Sequence, residues 1–195
     1  MEENKIKAPL DSNQQNPGTP GLVNNAVKNG LILGGISVVL TLVIYAINYA
    51  ILVQMKMMLL SILVSVGYAV YAGINYRKEI GGFISFGKAY QHGFIMFAAS
   101  GVVSVLFSFL LYFVIDPELP GKLTEASLAN TEEMMRGFGM PEDQMDEAME
   151  AARESTQNQF SPAKIALTYV FLVVAGAIFA LISGAIVKKN QPVSF

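Results

Sequence analysis

Histidine and cysteine, on which most metal and nucleophilic sites depend, are almost absent from this sequence. The 195 residues include one histidine, His92, and no cysteine. Disulfides, thiolate metal sites and cysteine nucleophiles are therefore excluded, and a zinc site would have to rest on carboxylates, which is unusual. We expect His92 to be a solvated residue at the start of an apolar helix. No phosphate loop, nucleophile elbow or HExxH motif occurs, so the sequence predicts no catalytic residue, no cofactor, no metal and no enzymatic activity.

Methionine is another residue type in this sequence whose side chain could bind a metal. Five of the ten methionines fall between residues 134 and 149. Thioethers are soft ligands suited to Cu(I), which leaves metal binding by this segment as an open alternative. The spacing favours a simpler interpretation, in which methionines and Phe138 form the apolar faces of two short helices. The acidic residues around them do not follow the spacing of a calcium-binding EF-hand loop. The methionines are Met134, Met135, Met140, Met145 and Met149.

The elements that would position these residues are set by four uncharged apolar runs of 20 to 23 residues. Each run can cross a bilayer core of about 30 Å, which needs roughly 20 helical residues. Only 14% of the residues are charged, against about 25% in soluble domains, and no chain is left to surround four such helices. The sequence therefore predicts an all-α membrane protein with four transmembrane helices in a bundle. The runs are residues 31–53, 57–76, 93–115 and 165–187.

Polar segments divide the chain into five predicted parts. A tail rich in Pro, Gly, Asn and Gln cannot bury enough apolar area to fold. The weakest boundary is the tight reversal at Gln54 and Lys56, between the first two helices. In order, the parts are a disordered cytoplasmic tail (1–22), helices one to three (23–115), an acidic external loop that forms an extramembrane helical hairpin between helices three and four (116–162), helix four (163–187) and a cytoplasmic tail (188–195).

Short-range signals predict where several helices begin and end. The Gly81-Gly82 pair marks a turn between helices two and three, and Ser85 is a suitable N-cap for helix three. Asp116-Pro117 stops that helix, because a proline disfavours helical geometry in the residue before it. Within the acidic loop, the first short helix is predicted over residues 124–138.

Charge predicts the orientation of the chain. With four spans, the two tails and the second loop share one face, which has eight basic and four acidic residues, while the other face has five basic and eleven acidic residues. Cytoplasmic loops carry the excess of Lys and Arg. The margin of eight to five predicts that both termini are cytoplasmic and that the acidic loop is external.

The segment from Tyr76-Arg77 through Gly81-Gly82-Phe83-Ile84-Ser85-Phe86-Gly87-Lys88-Ala89, followed by Gly93 and by Asp116-Pro117, resembles a known family. It is an uncharacterised bacterial family of four-helix membrane proteins, a domain of unknown function. The resemblance extends from helix one to helix four. It implies a bacterial inner membrane and supports four spans, and it implies no activity, ligand or site residue.

Small residues recur at every fourth position in the apolar runs. In lipid, such stripes let helix backbones approach closely. In the simpler interpretation the stripes build the bundle itself. In the more specific interpretation one stripe is a docking face for a partner or a second copy. The helix-packing candidates are Gly30, Gly34, Ser61, Ser65, Ala69, Gly73, Ser100, Ser104, Ser108, Gly176, Ala180 and Gly184.

Two functions remain open at this point. The first is a non-enzymatic accessory or interaction protein whose partners are the lipid bilayer and a possible membrane protein or second copy, with no nucleic acid. The alternative is a small oligomeric channel or transporter, in which serine faces line a polar path. The two differ in whether Ser100, Ser104 and Ser108 face a cavity or pack against another helix. No ionisable residue lies within the runs, which argues against a proton-coupled transporter.

Overall fold

Helices account for nearly all of the described chain. The computed structural model describes residues 21–156 and 159–191, and within them it has six α-helices and no β-strand. A short backbone bridge joins Ile84 and Lys189, each of which donates its N–H to the other's carbonyl at 3.0 Å. Most of the predicted N-terminal tail and the last four residues lie outside the described residues. The helices are α1 (Leu22–Asn48), α2 (Met55–Glu79), α3 (Phe86–Leu110), α4 (Leu119–Gly137), α5 (Glu142–Thr156) and α6 (Pro162–Val187).

Four of the helical segments are long and apolar enough to cross a membrane, by length and composition. The shortest has 25 residues, or about 37 Å at 1.5 Å per residue, against a bilayer core of about 30 Å. This confirms the prediction of an all-helical chain with four helices able to span a membrane. Five 3-10 residues extend α1, and a five-residue π-helical turn extends α3. The spans are Leu22–Val53, Met55–Glu79, Phe86–Ile115 and Pro162–Val187.

The reversals between spans follow their local sequence. Asn48 caps the 3-10 segment, because its Oδ1 accepts the N–H of Ala50 at 2.9 Å. Gly81 and Gly82 have φ angles of +99° and +88°, in the left-handed region that favours glycine, which confirms the predicted turn. Ser85 is the N-cap of α3, as predicted, and its Oγ accepts a backbone N–H three residues later.

The first helix after the third span begins earlier than predicted. Asp116-Pro117 does end the third span, but α4 starts at Leu119 and not near residue 124. Pro120 lies in the first turn of α4. The N–H groups of a first turn have no acceptor within the helix, so the missing N–H of proline costs no hydrogen bond there. Leu119 and Leu123 are 0% and 1% exposed. Their burial favours extending the helix toward the span, which the polar sequence around them does not reveal.

Among the spans, α3 makes the most extensive contacts. It packs along both α1 and α6, whereas α2 contacts mainly α6. Outside the spans, α4 contacts α5 and also rests on the 3-10 segment after α1. Two groups of buried apolar residues organise these contacts. The central cluster is Ala26, Leu33, Ala69, Ala72, Met96, Phe97 and Ala180, and the α4 cluster is Leu111, Leu119 and Leu123.

Candidate functional site: a chamber between the spanning helices

The glycines of α1 lie where α1 and α3 touch. A Cβ atom at Gly30 would lie 2.5 Å from the carbonyl oxygen of Met96, and one at Gly34 would lie 2.6 Å from the Cβ of Val103. Real Cβ atoms do not approach other atoms so closely. The structure therefore places both predicted packing residues in the α1–α3 contact, at a helix separation that requires glycine.

The small residues of α6 lie against the other side of α3. A Cβ atom at Gly176 would lie 2.9 Å from the Cβ of Phe97, and one at Gly184 would lie 3.1 Å from the backbone nitrogen of Tyr90. Ala180, between the two glycines, is fully buried. All three predicted packing residues of α6 thus lie in one continuous helix contact.

The second half of α2 packs in the same way, and α3 contributes a glycine that the small-residue stripes missed. Ala69 is buried, and a Cβ atom at Gly73 would lie 2.8 Å from a methyl carbon of Val187. On α3, a Cβ atom at Gly93 would lie 3.0 Å from the Ser183 hydroxyl. Gly93 lies four residues after Ala89. This small-xxx-small spacing would have identified Gly93 as a helix-packing residue.

The predicted serines have a different environment. Ser61 and Ser65 of α2 and Ser100 and Ser104 of α3 line a chamber of about 610 Å³ between the spans. Ser108 borders a smaller space of about 170 Å³ and donates its hydroxyl to the Ser104 carbonyl at 2.9 Å. The candidates therefore separate by residue type, since glycine and alanine lie at helix contacts and most of the serines face open space.

The chamber has a mainly apolar wall to which all four spans contribute. Among the described residues that line it, none is charged. Its volume falls within the range of roughly 300–1,000 Å³ that is typical of pockets for drug-sized molecules. The apolar wall includes Leu33, Ile44, Ile62, Phe97, Leu172 and Phe179.

Two groups of hydroxyls face this apolar space. Ser37, Thr41 and Thr168 each donate to the backbone carbonyl four residues earlier, at 2.9–3.0 Å. Ser61, Ser65, Ser100 and Ser104 also line the chamber, and their hydroxyls make no hydrogen bond to any residue that the structure describes. Ser100 is the most enclosed of them, with 7% of its surface exposed. The chamber therefore holds unused hydrogen-bond donors in apolar surroundings.

Buried apolar clusters border the chamber toward both ends of the spans. Leu33 and Phe97 line it and belong to the central cluster, which fills the space toward the α2–α3 turn. Leu52 lines it near the opposite end and packs against the α4 cluster. At that end Tyr45 donates its hydroxyl to Asp116 Oδ2 at 3.0 Å. Buried clusters therefore flank the chamber on both sides along the spans.

Lys122 adds ion pairs at the α4 end. Its Nζ lies 3.1 Å from Glu118 Oε2 and 3.7 Å from Asp116 Oδ2. The hydrogen bond to Glu118 and the charge of Asp116 raise the pKa of Lys122, and its partial desolvation opposes that rise. Exposed ion pairs of this kind contribute little to stability. The buried leucines of the α4 cluster therefore hold α4 on the spans.

The first half of α2 is the most loosely packed wall of the chamber. Residues 57–65 supply that wall, yet no residue in the first half of α2 is buried. Gly67 lies between the two halves, and a Cβ atom there would meet nothing within 4 Å. The chamber is thus bordered by buried clusters toward its ends and by loosely packed residues on the side of α2. The buried residues of α2 are Ala69, Ala72, Gly73 and Tyr76.

A polar network joins α1, α2 and α3 near the α2–α3 turn, and His92 is part of it. His92 is 1% exposed, so the prediction of a solvated residue was wrong. Its Nε2 lies 2.9 Å from Asn25 Oδ1, and its ring stacks on Tyr76 with centroids 5.0 Å apart. Asn25 also donates its Nδ2 to Glu79 at 3.1 Å. The burial of His92 comes from residues on two other helices, which the sequence of α3 does not reveal.

The donor and the acceptor of each hydrogen bond in this network can be assigned from Glu79. The Glu79 carboxylate accepts, so the Asn25 amide nitrogen faces it and the amide oxygen faces His92. His92 Nε2 therefore carries a hydrogen and donates. The same Asn25 oxygen accepts from Asn29 Nδ2 at 2.9 Å, and Asn29 Oδ1 accepts from the Tyr68 hydroxyl at 3.0 Å. The network fastens the second half of α2 to its neighbours, while the first half has no such attachment.

Comparison with known protein families gives a match over most of the chain. The model of a family described as "Protein of unknown function (DUF4199)" matches residues 28–189. No curated protein and no solved structure matches the chain. The residues that line the chamber all lie within the matched range.

Proposed function

The chain belongs to the DUF4199 family of proteins of unknown function, as the resemblance of its sequence predicted, and from its geometry we propose that it is a non-enzymatic accessory protein of the bacterial inner membrane that binds a lipophilic molecule. The chamber between the spans carries this proposal. A mainly apolar wall around about 610 Å³, with a few hydroxyls, suits a molecule that dissolves in lipid.

Access from the bilayer supports a lipid-dissolved ligand. A molecule that passes between the loosely packed first half of α2 and its neighbours stays in hydrocarbon throughout. A water-soluble solute would instead have to separate the central cluster or the α4 cluster, which are buried and well packed. The lower barrier is therefore on the lipid side.

The chemistry of the wall supports binding without catalysis. General acid–base and covalent catalysis need a titratable or nucleophilic side chain at the reacting atoms. The described residues of the wall offer only aliphatic, aromatic and thioether groups and unactivated hydroxyls. His92 is engaged with Asn25 and Tyr76 beside the central cluster.

The same proposal includes the arrangement of the chain in the membrane. The four spans form one bundle with α3 at its centre, and α4 and α5 form an external helical hairpin. The contacts of α3 with α1 and α6, and of α4 with α5, support this arrangement. The margin of eight basic residues to five supports cytoplasmic termini.

The absence of native cysteine allows the orientation to be tested by single substitutions. Lys56→Cys and Phe138→Cys are expected to react with a membrane-impermeant maleimide added to intact cells, since residue 138 is 83% exposed on the proposed external side. Lys78→Cys and Lys189→Cys should react only after the cells are permeabilised. If position 189 were labelled in intact cells and position 138 were protected, the orientation would be the reverse of the one proposed.

Filling the chamber is expected to expel the lipophilic molecule. The double variant Ser65→Phe/Ser104→Phe places two rings in the chamber from α2 and α3. We expect the amount of lipophilic molecule bound per mole of purified protein to fall by about tenfold or more, because the added rings clash with any occupant. Mass spectrometry of an organic extract of the purified protein measures this amount.

A matched control carries the same rings on the lipid-facing side of the same helices. Residues 63 and 102 are 71% and 44% exposed, so Leu63→Phe/Val102→Phe should retain the wild-type content. Both double variants should elute as monodisperse protein. Equal bound content in the filled variant and the control would contradict the proposal.

A small oligomeric channel or transporter is the second candidate, favoured by the position of Ser100 and Ser104 on the chamber wall. The central cluster interrupts a polar path along α3, so solute movement would require a different arrangement of the spans. Proteoliposomes that take up small solutes, with loss of uptake in Ser65→Phe/Ser104→Phe, would support this candidate over simple binding.

A further inference from the structure

We infer that the ligand of the chamber is an uncharged lipid that presents a carbonyl oxygen to Ser100 near the middle of the membrane, as a prenylated quinone does. This inference rests on the proposed function and names the class of molecule that the chamber takes. Four features of the chamber lead to it: the depth of Ser100, the unused donor it holds, the absence of charge around it, and the aromatic side chains beside it.

Ser100 lies at the centre of the third span. That span runs from Phe86 to Ile115, so Ser100 is about 21 Å from each end at 1.5 Å per residue. Ser100 is also the eighth residue of the apolar run 93–115, so about 10 Å of apolar helix separates it from the nearer end of that run. Lipid headgroups do not supply hydrogen-bond partners at this depth.

Ser100 also presents an unpaired hydroxyl to the chamber. It is 93% buried, since 7% of its surface is exposed, and it lines the chamber. A serine in a helix can donate to the carbonyl four residues earlier, as Ser37 and Ser108 do, but no such bond is formed by Ser100 among the described residues. A hydroxyl that faces an apolar space gains from an acceptor. A ligand with an acceptor and no donor of its own, such as a carbonyl, fits this position best.

The surroundings of Ser100 select against charged lipids. The described wall has no charged side chain to compensate a phosphate or an ammonium group, and burying an unpaired charge is highly unfavourable. The ester carbonyls of a phospholipid are tethered to such a headgroup at the interface, about 15 Å from the midplane. They therefore cannot reach Ser100 while the headgroup stays in water.

Aromatic side chains beside Ser100 favour a flat carbonyl-bearing ring. Phe97 and Phe179 line the chamber. Their ring centroids are 6.1 Å apart and their ring planes are inclined by 55°. Phe97 lies three residues before Ser100, on the same side of α3. A quinone ring can lie against this aromatic pair while a ring carbonyl accepts from Ser100, and its prenyl tail can leave beside the first half of α2.

Photo-crosslinking of the full chain in liposomes tests the inference with three diazirine probes. They are a prenylated naphthoquinone, a saturated hydrocarbon of equal length, and a phosphatidylglycerol with the diazirine on its acyl chain. The quinone is expected to label residues of the chamber wall, as mapped by mass spectrometry, and unlabelled quinone should compete. Ser100→Ala should raise the apparent Kd of the quinone by about tenfold, the effect of one lost hydrogen bond in an apolar site. Labelling by the hydrocarbon should not change.

Two further variants make the result specific. Ser100→Thr keeps the hydroxyl and should restore quinone affinity, and Ser108→Ala removes a hydroxyl outside the chamber and should behave like wild type. Equal quinone affinity in wild type and Ser100→Ala, or equal labelling of the wall by phosphatidylglycerol, would overturn the carbonyl-lipid inference but leave a lipophilic site. Failure of all three probes to label the wall would instead overturn the proposed function itself.

Discussion

Asn25→Ala is expected to lower the free energy of unfolding by about 2–4 kcal/mol, because it removes the residue at the centre of a buried hydrogen-bond network. Its amide oxygen accepts from both His92 and Asn29. His92, at 1% exposure, would keep a buried polar ring without that acceptor. Glu79 is exposed and can hydrate, so its lost bond should contribute least. The main loss therefore comes from His92.

Asn24→Ala is the matched control for this prediction. Residue 24 carries the same side chain one position earlier on α1, where it is exposed. Its removal should change the free energy of unfolding by less than about 0.5 kcal/mol. Reversible SDS titration of the purified protein in mixed micelles, followed by circular dichroism, measures both variants. If both lie within experimental error of wild type, the network does not stabilise the attachment of α2 to α1 and α3.

The spans were predictable because their determinants are local. A run of 20 residues without charge needs no partner to be recognised, and the Gly81-Gly82 turn, the Ser85 cap and the stop at Asp116-Pro117 each depend on a few adjacent residues. The start of α4 was predicted too late because it depends on Leu119 and Leu123 meeting other segments. Local patterns therefore give the helices but not every boundary.

The chamber and the polar network could not be predicted in the same way. Both depend on which faces of separate helices meet, and the sequence of one helix carries little of that information. Asn25 and Asn29 do lie four residues apart on one face, which is a weak signal for a polar contact. The serine stripes left helix packing and a polar path as alternatives, and Ser100 and Ser104 line the chamber. Serine is ambiguous in lipid because it is both small and polar, while glycine has no Cβ and marks close contacts more reliably.

Gly30→Ala is expected to lower the free energy of unfolding by about 2–3 kcal/mol, because the added methyl group cannot be accommodated where α1 meets α3. The new Cβ would lie 2.5 Å from the Met96 carbonyl oxygen and 2.7 Å from the Cβ of Ala99. Neither atom can rotate away, since one belongs to the backbone and the other is fixed to it. The two helices would have to separate, which weakens the contacts of the central cluster along α1. At roughly 2–4 °C per kcal/mol for a chain of this size, the melting temperature in detergent should fall by about 4–12 °C.

Gly35→Ala makes the same chemical change five residues further along α1, at a position with open space. A Cβ there meets nothing within 4 Å, so the substitution should leave stability unchanged or raise it by about 0.5–1 kcal/mol through helix propensity alone. Opposite signs for the two variants would show that the cost at Gly30 comes from the α1–α3 contact and not from replacing a glycine in a membrane helix. Equal effects would contradict the close approach of α1 and α3. That approach holds the α1 and α3 sides of the central cluster together, and this cluster borders the chamber toward the α2–α3 turn.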